Sequence, residues 1–109
     1  MALLFTYGTL QSEEIQQELF GRKLKGKRDF LKSYRLGTIQ IPEDHPLART
    51  YFIAYYTGNQ NDKIEGTVYE LKDLELPIAD NYEGNSYERQ LVTLNSKIEA
   101  FIYCRGYKN

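Results

Sequence analysis

The sequence predicts an α+β fold, a small mixed, largely antiparallel β-barrel-like sheet of about six strands with two short helices. Two observations support it. Short β-branched and aromatic runs recur along the chain and are separated by clusters of Gly, Asn, Asp and Ser, a pattern typical of strands joined by turns. Two other segments carry apolar residues at the spacing of short amphipathic helices. The length of 109 residues fits a single domain over 1–109.

The N-terminal segment predicts a strand, a tight turn and a helix in succession. Residues 2–7 are expected to form a strand, because their apolar run stops at Gly8. Ser12 is a favourable helix N-cap, and the two glutamates that follow it suit the positive end of the helix dipole. Gly21 is expected to end this helix.

Five further segments have strand character, and they are 29–36, 51–57, 64–71, 87–94 and 98–105. The pair 51–57 and 64–71 is expected to form one hairpin, and the last two strands another. Residues 37–47 contain two prolines and are interpreted as a loop. A second helix is expected to be capped by Asp73 and to end near Gly84, with Pro77 in its first turn.

Strand parity in the segment 87–94 predicts an irregularity. Tyr87 and Arg89 share one face of a regular strand, whereas Val92 and Leu94 fall on the other. We therefore expect a β-bulge near Gln90.

Composition excludes several classes of function. The formal net charge is −1, and acids and bases alternate, so neither nucleic acid nor an anionic membrane is an expected partner. The basic stretch Arg22–Arg28 is either a solvated loop or a contact for an anionic ligand. The chain has no long apolar run and no secretion signal, and its one cysteine, Cys104, suits a buried position in a cytoplasmic protein. The one histidine, His45, lies in a polar loop and predicts no metal site.

Two segments can carry chemistry. A glycine directly after a strand lets the backbone approach a ligand, and consecutive N–H groups at such a turn can bind a carboxylate or an oxyanion. The residues of this first candidate are Tyr7, Gly8, Thr9 and Leu10. The second candidate is Glu83, between Tyr82 and a glycine, where burial beside aromatic rings would raise the pKa of the carboxyl toward the range useful for proton transfer. A structural turn and a surface glutamate are the alternatives.

A third candidate opens the next predicted strand. Arg89, two residues after Tyr87, can pair with a carboxylate or support the segment around Glu83. The alternative is an ion pair at a strand edge, which contributes little to stability.

Four motifs in order carry a resemblance to a known family. They are Leu4–Leu10, Glu65–Leu71, Asp80–Gly84 and Tyr87–Val92. Together they resemble the γ-glutamyl cyclotransferase-like family, which includes the plant avirulence-induced proteins and the γ-glutamylamine cyclotransferases. The resemblance extends over nearly the whole chain, although residues 37–62 match only loosely and carry no recognisable specificity motif.

The resemblance implies a mixed barrel-like fold, an active-site cavity and a reaction. The reaction releases 5-oxoproline and a free amine from a γ-glutamyl amine or γ-glutamyl amino acid, with Glu83 as general acid/base. The turn at 7–10 would bind the glutamyl end through backbone amides, and Tyr87 would contact the substrate. Tyr82 and Arg89 would support the site. No metal or organic cofactor is implied, and the small-molecule substrate is the expected partner.

Two other functions compete with a cyclotransferase. A non-catalytic module could use the same pocket to bind a small carboxylate, although such a module has no need of an acid/base at Glu83. A different amide-bond chemistry in the same pocket, such as removal of a γ-glutamyl protecting group, is the third possibility.

Overall fold

Seven strands and two helices make up the computed structural model, which describes residues 1–41, 49–84 and 87–105. The strands are β1 (Ala2–Thr6), β2 (Gly26–Lys32), β3 (Tyr34–Ile41), β4 (Arg49–Tyr56), β5 (Lys63–Leu71), β6 (Tyr87–Thr93) and β7 (Glu99–Arg105). The helices are α1 (Glu13–Phe20) and α2 (Leu76–Glu83), and each follows a short 3₁₀ turn, Thr9–Gln11 or Asp73–Glu75. Over the described residues, neither helix has the length and apolar character needed to cross a membrane.

The strands form one mixed sheet in the order β2-β5-β1-β7-β4-β3, and β6 pairs with β7. All pairs are antiparallel except that β7 runs parallel to β1 and to β4. The predicted α+β class with a largely antiparallel sheet and two short helices is thus confirmed. The sheet is not closed into a barrel, because β2 and β3, at the two ends of the order, do not pair in the described structure.

The predicted strand at 29–36 is wrong in its extent. Ser33, with a φ of 71°, divides it into β2 and β3. A hairpin needs about two loop residues, so the single residue Ser33 is too short a link for one. β2 and β3 therefore do not pair with each other and lie at opposite ends of the strand order. The predicted loop at 37–47 is also wrong at its start, because β3 extends to Ile41 by pairing with β4. Residues 42–48 lie outside the described residues, and with them His45.

The hairpin predicted between 51–57 and 64–71 is absent. β4 pairs with β3 and β7, whereas β5 pairs with β1 and β2. The N–H groups of Thr57 and Gly58 both donate to the Ser33 carbonyl, at 2.8 and 3.3 Å, so the chain after β4 crosses the β2–β3 junction and does not turn back along β4. The other predicted hairpin, β6 with β7, is confirmed.

Apolar side chains pack on both faces of the sheet. One cluster, on the face away from the helices, contains Phe5, Leu31, Ala54, Ile64, Val68, Leu94, Ala100, Ile102 and Cys104. The other lies under the helices and contains Leu4, Leu10, Leu24, Tyr69, Leu71, Ala79 and Tyr103. Cys104 is therefore a buried member of the core, as predicted, and burial raises the pKa of its thiol to about 11.

The bulge predicted near Gln90 is wrong. β6 and β7 pair without interruption from Tyr87 opposite Arg105 to Thr93 opposite Glu99. The change of parity needs no bulge because each face of β6 contributes a side chain to one of the two core clusters. Val92 packs on one cluster and Tyr87 on the other.

The ends of α1 agree with the sequence, whereas the start of α2 differs. The Ser12 hydroxyl accepts a hydrogen bond from the Ile15 N–H at 3.4 Å, and Gly21 ends α1 in the left-handed conformation. Asp73 does not cap α2. It lies in the preceding 3₁₀ turn, with its carboxylate 3.2 Å from the N-terminal ammonium. Pro77 occupies the first turn of α2, as expected.

The basic stretch Arg22–Arg28 is only partly a loop, because β2 already begins at Gly26. Arg22 binds the carboxylate of Glu75 through two hydrogen bonds, from Nε at 3.0 Å and from Nη2 at 2.7 Å. These bonds lower the pKa of Glu75 below its ordinary value. They also tie the segment after α1 to the start of α2 and so fix the two helices on the same face of the sheet.

Candidate active site

The site lies where β1 leaves the sheet. β6 covers β7 along its length, so β1 and β4 share the other edge of β7 at different points. Leu4 of β1 pairs with Phe101, and Ala54 of β4 pairs with Cys104. At the end of β1 the chain turns into the 3₁₀ turn Thr9–Gln11, and β4 then takes over the pairing with β7. This change of partner opens the sheet beside the turn.

Gly8 begins the turn, and the described residues leave open space beside its Cα. Its φ is −124°, which other residues adopt, and a Cβ at this position would have no neighbour within 4 Å. The buried side chain of Leu10 anchors the turn in the helix-face cluster. Within the described chain no hydrogen bond uses the N–H groups of Thr9 and Leu10. The turn therefore offers backbone donors and open space to a ligand.

The hydroxyl of Tyr7 bridges the gap between β7 and β4. It donates to the Tyr103 carbonyl at 2.6 Å and accepts from the Ala54 N–H at 3.0 Å. Burial raises the pKa of Tyr7 well above its ordinary value, and the nearby charges of Tyr87 and Glu83 add to this shift. Tyr7 thus lies at the predicted site, and its hydroxyl satisfies two backbone groups of the split sheet.

Glu83 is the last residue of α2. Gly84 ends the helix with φ 83° and ψ −172°, a combination that is accessible essentially to glycine alone. The carboxyl of Glu83 is half-buried, and burial raises its pKa from 4.5 to about 7. No hydrogen bond to this carboxyl occurs among the described residues. Glu83 is thus balanced between its charged and neutral forms near neutral pH, which is what a group that takes up and returns a proton requires.

Two tyrosines predicted at the site connect its parts. The Tyr82 hydroxyl lies 2.6 Å from the Thr9 hydroxyl and so links the end of α2 to the turn. The Tyr87 hydroxyl donates to the Phe52 carbonyl at 2.7 Å and links β6 to β4. The turn, the end of α2 and the start of β6 therefore lie close together around the C-terminal ends of β1 and β7.

Asp80 and Tyr103 are site residues that the sequence reasoning missed. The Tyr103 hydroxyl donates to Oδ1 of Asp80 at 2.7 Å. Burial, together with this bond, raises the pKa of Tyr103 far above its ordinary value, and the charge of Glu83 contributes to the shift. The available signal was the spacing of Asp80 and Glu83, three residues apart on one helix, which places both carboxylates on the same face. No comparable local signal indicated Tyr103.

Arg89, which the sequence suggested as a supporting residue, pairs with Asp80. Its Nη1 lies 3.3 Å from Oδ2 of Asp80, without the alignment of a hydrogen bond, and its guanidinium stacks 4.9 Å from the ring centre of Phe101. The positive charge therefore balances Asp80, and it leaves Glu83 without a cationic partner among the described residues.

Comparisons with known proteins identify the family and the fold. The family model for γ-glutamyl cyclotransferase, AIG2-like, matches residues 4–109. Among solved structures, a γ-glutamyl cyclotransferase superposes with a TM-score of 0.78 at 15% identity, covering 96% of this chain and 66% of the other. A protein of Arabidopsis thaliana solved in solution gives a TM-score of 0.76 at 21% identity, covering 95% of this chain and 68% of the other.

The same fold occurs in an archaeal protein. An uncharacterised protein of Pyrococcus horikoshii superposes with a TM-score of 0.65 at 21% identity, covering 99% of this chain and 80% of the other. No curated protein matches the chain in sequence. At these identities the structural similarity establishes the fold, and the family model establishes the relationship.

Proposed function

Because the chain belongs to the AIG2-like γ-glutamyl cyclotransferase family, we propose that it releases 5-oxoproline and a free amine from a γ-glutamyl amine or γ-glutamyl amino acid. The observation that carries this proposal is the half-buried Glu83, whose carboxyl has a pKa of about 7 and lies near Tyr7 and the turn that follows it. A cyclotransferase needs one group that can both accept and donate a proton, and Glu83 meets that requirement.

The substrate supplies its own nucleophile in this reaction. Ionised Glu83 takes a proton from the α-ammonium of the glutamyl unit, and the resulting amine attacks the γ-carbonyl carbon. A C–N bond forms to give a five-membered ring, and the carbonyl oxygen becomes an oxyanion. Glu83 then returns its proton to the leaving nitrogen, and the original amide C–N bond breaks as the carbonyl re-forms. The ring nitrogen gives up its second proton, which Glu83 passes to the departing amine, so that 5-oxoproline and the ammonium form of the amine are released. No proton is gained or lost overall, so one carboxyl can serve both transfers.

The turn supports binding and orientation. The free N–H groups of Thr9 and Leu10 can bind the α-carboxylate or the developing oxyanion, and Gly8 leaves room for the ligand to approach them. Holding the flexible glutamyl chain folded places the amine near the γ-carbonyl, and such proximity is a large part of the rate enhancement of ring-closing reactions.

The test is a search for product combined with one isosteric substitution. Purified protein is incubated with γ-glutamyl dipeptides, γ-glutamyl amines and ε-(γ-glutamyl)lysine, and 5-oxoproline is followed by mass spectrometry. We expect product from at least one compound, and a loss of about 10²- to 10⁴-fold in turnover for Glu83→Gln. Glu88→Gln, on an exposed residue of β6, is the matched control. Unchanged turnover in a folded Glu83→Gln protein would remove Glu83 from the mechanism.

The pH dependence gives a second test of the same residue. The base must be ionised to accept a proton, so kcat/KM should fall as the pH drops below about 7. An acidic limb that lies near pH 4.5, the ordinary value for glutamate, would contradict the assignment. Thermal stabilisation by these compounds without any product would instead favour a binding module that uses the same pocket.

A further inference from the structure

Arg28 differs from the other arginines whose side chains the structure describes. Arg22, Arg35 and Arg89 each have a guanidinium nitrogen close to a carboxylate oxygen, at 2.7, 3.9 and 3.3 Å. Arg28, on β2, has no such partner in the described part of the chain and contacts two neutral oxygens instead. Arg28 is also exposed, so its guanidinium is accessible to a ligand.

The contacts of Arg28 connect it to the turn. Its Nη1 donates to Oε1 of Gln11 and to Oγ1 of Thr67, both at 3.1 Å. The Thr67 hydroxyl in turn donates to Oε1 of Gln11 at 3.0 Å. Gln11 completes the chain, because its Nε2 donates to the Gly8 carbonyl at 3.3 Å. Nη1 of the guanidinium is therefore connected to the turn through Gln11, both directly and through Thr67.

The edge of the guanidinium formed by Nε and Nη2 has no partner among the described residues. Planar guanidinium and carboxylate groups fit through two parallel hydrogen bonds. In this protein the same edge of Arg22 binds Glu75 in that way, with Nε at 3.0 Å and Nη2 at 2.7 Å from the two carboxylate oxygens. The chemistry that suits the open edge of Arg28 is therefore a carboxylate.

Strand pairing places Arg28 beside the active site. Arg28 lies opposite Thr67 on β5, and Thr67 lies opposite Thr6 at the end of β1. Directly opposed residues share a face, and Thr67 has the parity of Tyr69, which packs in the helix-face cluster. Strands are about 4.8 Å apart, so the Arg28 backbone is about 10 Å from the start of the turn. Its long side chain reaches across part of this distance.

We infer that Arg28, held by Gln11 and Thr67, binds a carboxylate of the substrate beside the turn. The identity of the ligand as a γ-glutamyl compound rests on the proposed function. Such a compound offers two carboxylates, the α-carboxylate of the glutamyl unit and, where the leaving group is an amino acid, the carboxylate of that group. The inference also gives Thr67, within the motif Glu65–Leu71, a role at the site.

The experiment compares two substrates that differ in one carboxylate. γ-Glutamylalanine and γ-glutamylethylamine have leaving groups of similar shape, and only alanine carries a carboxylate. We expect Arg28→Gln to lower kcat/KM for γ-glutamylalanine about 10- to 100-fold, the effect of losing a charge-assisted pair of hydrogen bonds. If kcat/KM for γ-glutamylethylamine is unchanged, Arg28 binds the carboxylate of the leaving group. If kcat/KM falls equally for both substrates, Arg28 binds the α-carboxylate of the glutamyl unit.

Arg35→Gln is the matched control, because Arg35 is an exposed arginine on β3, at the opposite end of the sheet from β2, and should not affect either substrate. No change in either substrate with Arg28→Gln would overturn the inference. An equal loss with Arg35→Gln would also overturn it, because the effect would then come from net charge and not from a site.

A binding measurement separates this inference from the proposed reaction. In Glu83→Gln protein, which should not consume the ligand, calorimetric titration with γ-glutamylalanine should give a Kd that rises about 10- to 100-fold when Arg28→Gln is added. Arg28-dependent binding without turnover by the wild type would keep the carboxylate site and reject the reaction. Turnover by the wild type, together with a Kd that does not depend on Arg28, would keep the reaction and reject the carboxylate site. No binding of γ-glutamylalanine at all would also reject the carboxylate site.

Discussion

Glu83 illustrates how burial alone can prepare a residue for chemistry. Its carboxyl receives no hydrogen bond from the described residues, and Arg89 is paired with Asp80. Tyr103 likewise directs its hydroxyl proton to Asp80. We attribute the raised pKa of Glu83 to this arrangement, in which desolvation is not offset.

The raised pKa predicts a dependence of stability on pH. The folded state binds the Glu83 proton more tightly than the unfolded state, so the contribution of this residue to the free energy of unfolding falls as the pH rises from 4.5 to about 7. Glu83→Gln removes this loss. The free energy of unfolding of the variant, relative to that of wild type, should therefore increase by about 1–3 kcal/mol between pH 4.5 and pH 8. Urea denaturation at several pH values measures the difference.

The control for this prediction is Glu18→Gln, an exposed position on α1. Its difference from wild type should not vary with pH in the same way. If Glu83→Gln showed a constant difference from wild type between pH 4.5 and pH 8, the carboxyl would not have a raised pKa in the folded state.

Tyr7 has a structural role that is separable from catalysis. Tyr7→Phe keeps the ring and removes the hydroxyl, and so leaves the Tyr103 carbonyl and the Ala54 N–H without their partner. Leaving two buried polar groups unpaired should cost about 2–4 kcal/mol. Chemical denaturation measures this cost. The control is Tyr55→Phe, because Tyr55 is an exposed tyrosine on β4, and this substitution should cost less than about 0.5 kcal/mol. A Tyr7→Phe protein as stable as the control would show that the bridge does not hold β4 to β7.

At the scale of the elements, the two glycines that flank the candidate site have different roles. Gly84 is needed by the backbone, because its φ and ψ are unfavourable for any other residue and it fixes Glu83 as the end of α2. Gly8 has a φ that other residues adopt, and no described atom lies within 4 Å of the position of a Cβ. Its value lies in the empty space in front of the turn, where a ligand would lie.

This difference predicts opposite outcomes for the two alanine substitutions. Gly84→Ala should lower the free energy of unfolding by about 1–3 kcal/mol through backbone strain. Gly8→Ala should change stability by less than about 0.5 kcal/mol and should weaken ligand binding. Thermal denaturation and calorimetric titration of both proteins give the comparison. Gly8→Ala protein that binds γ-glutamyl compounds as well as wild type would show that the ligand does not approach this turn.

The whole molecule is organised around β1 and β7, whose alternate residues enter opposite clusters. Leu4 points into the cluster under the helices, and its neighbour Phe5 points into the cluster on the other face. The same alternation occurs between Tyr103 and Ile102 on β7. Since the two clusters share these central strands, neither can lose its order without disturbing the other.

This sharing predicts cooperative unfolding. Leu4→Ala and Phe5→Ala each remove a side chain that is at most 1% exposed, and each should cost about 2–5 kcal/mol. Both variants should still unfold in a single transition, with the midpoint from far-ultraviolet circular dichroism equal to that from tyrosine fluorescence. Separate midpoints in either variant would mean that the clusters are independent units.

The sequence by itself determined the features that a few neighbouring residues encode. Ser12 and Gly21 set the ends of α1, the glycine after β1 marks the turn, and the short polar link between 87–94 and 98–105 gives the last hairpin. The order of four local motifs was enough to identify the family and therefore the overall class of fold. Such signals act within one or two turns of chain, so they can be interpreted without knowing what else packs nearby.

Only the tertiary structure decided how distant segments meet. The split of β2 from β3 at Ser33 and the pairing of β4 depend on strand contacts that no local pattern specifies. The bridge from Tyr7 to Tyr103 spans 96 positions, and the link from Thr67 to Gln11 spans 56. The raised pKa of Glu83 depends on burial by such segments. The physical reason is that desolvation and side-chain partners are properties of the packed molecule, whereas caps, turns and strand patterns are properties of the chain.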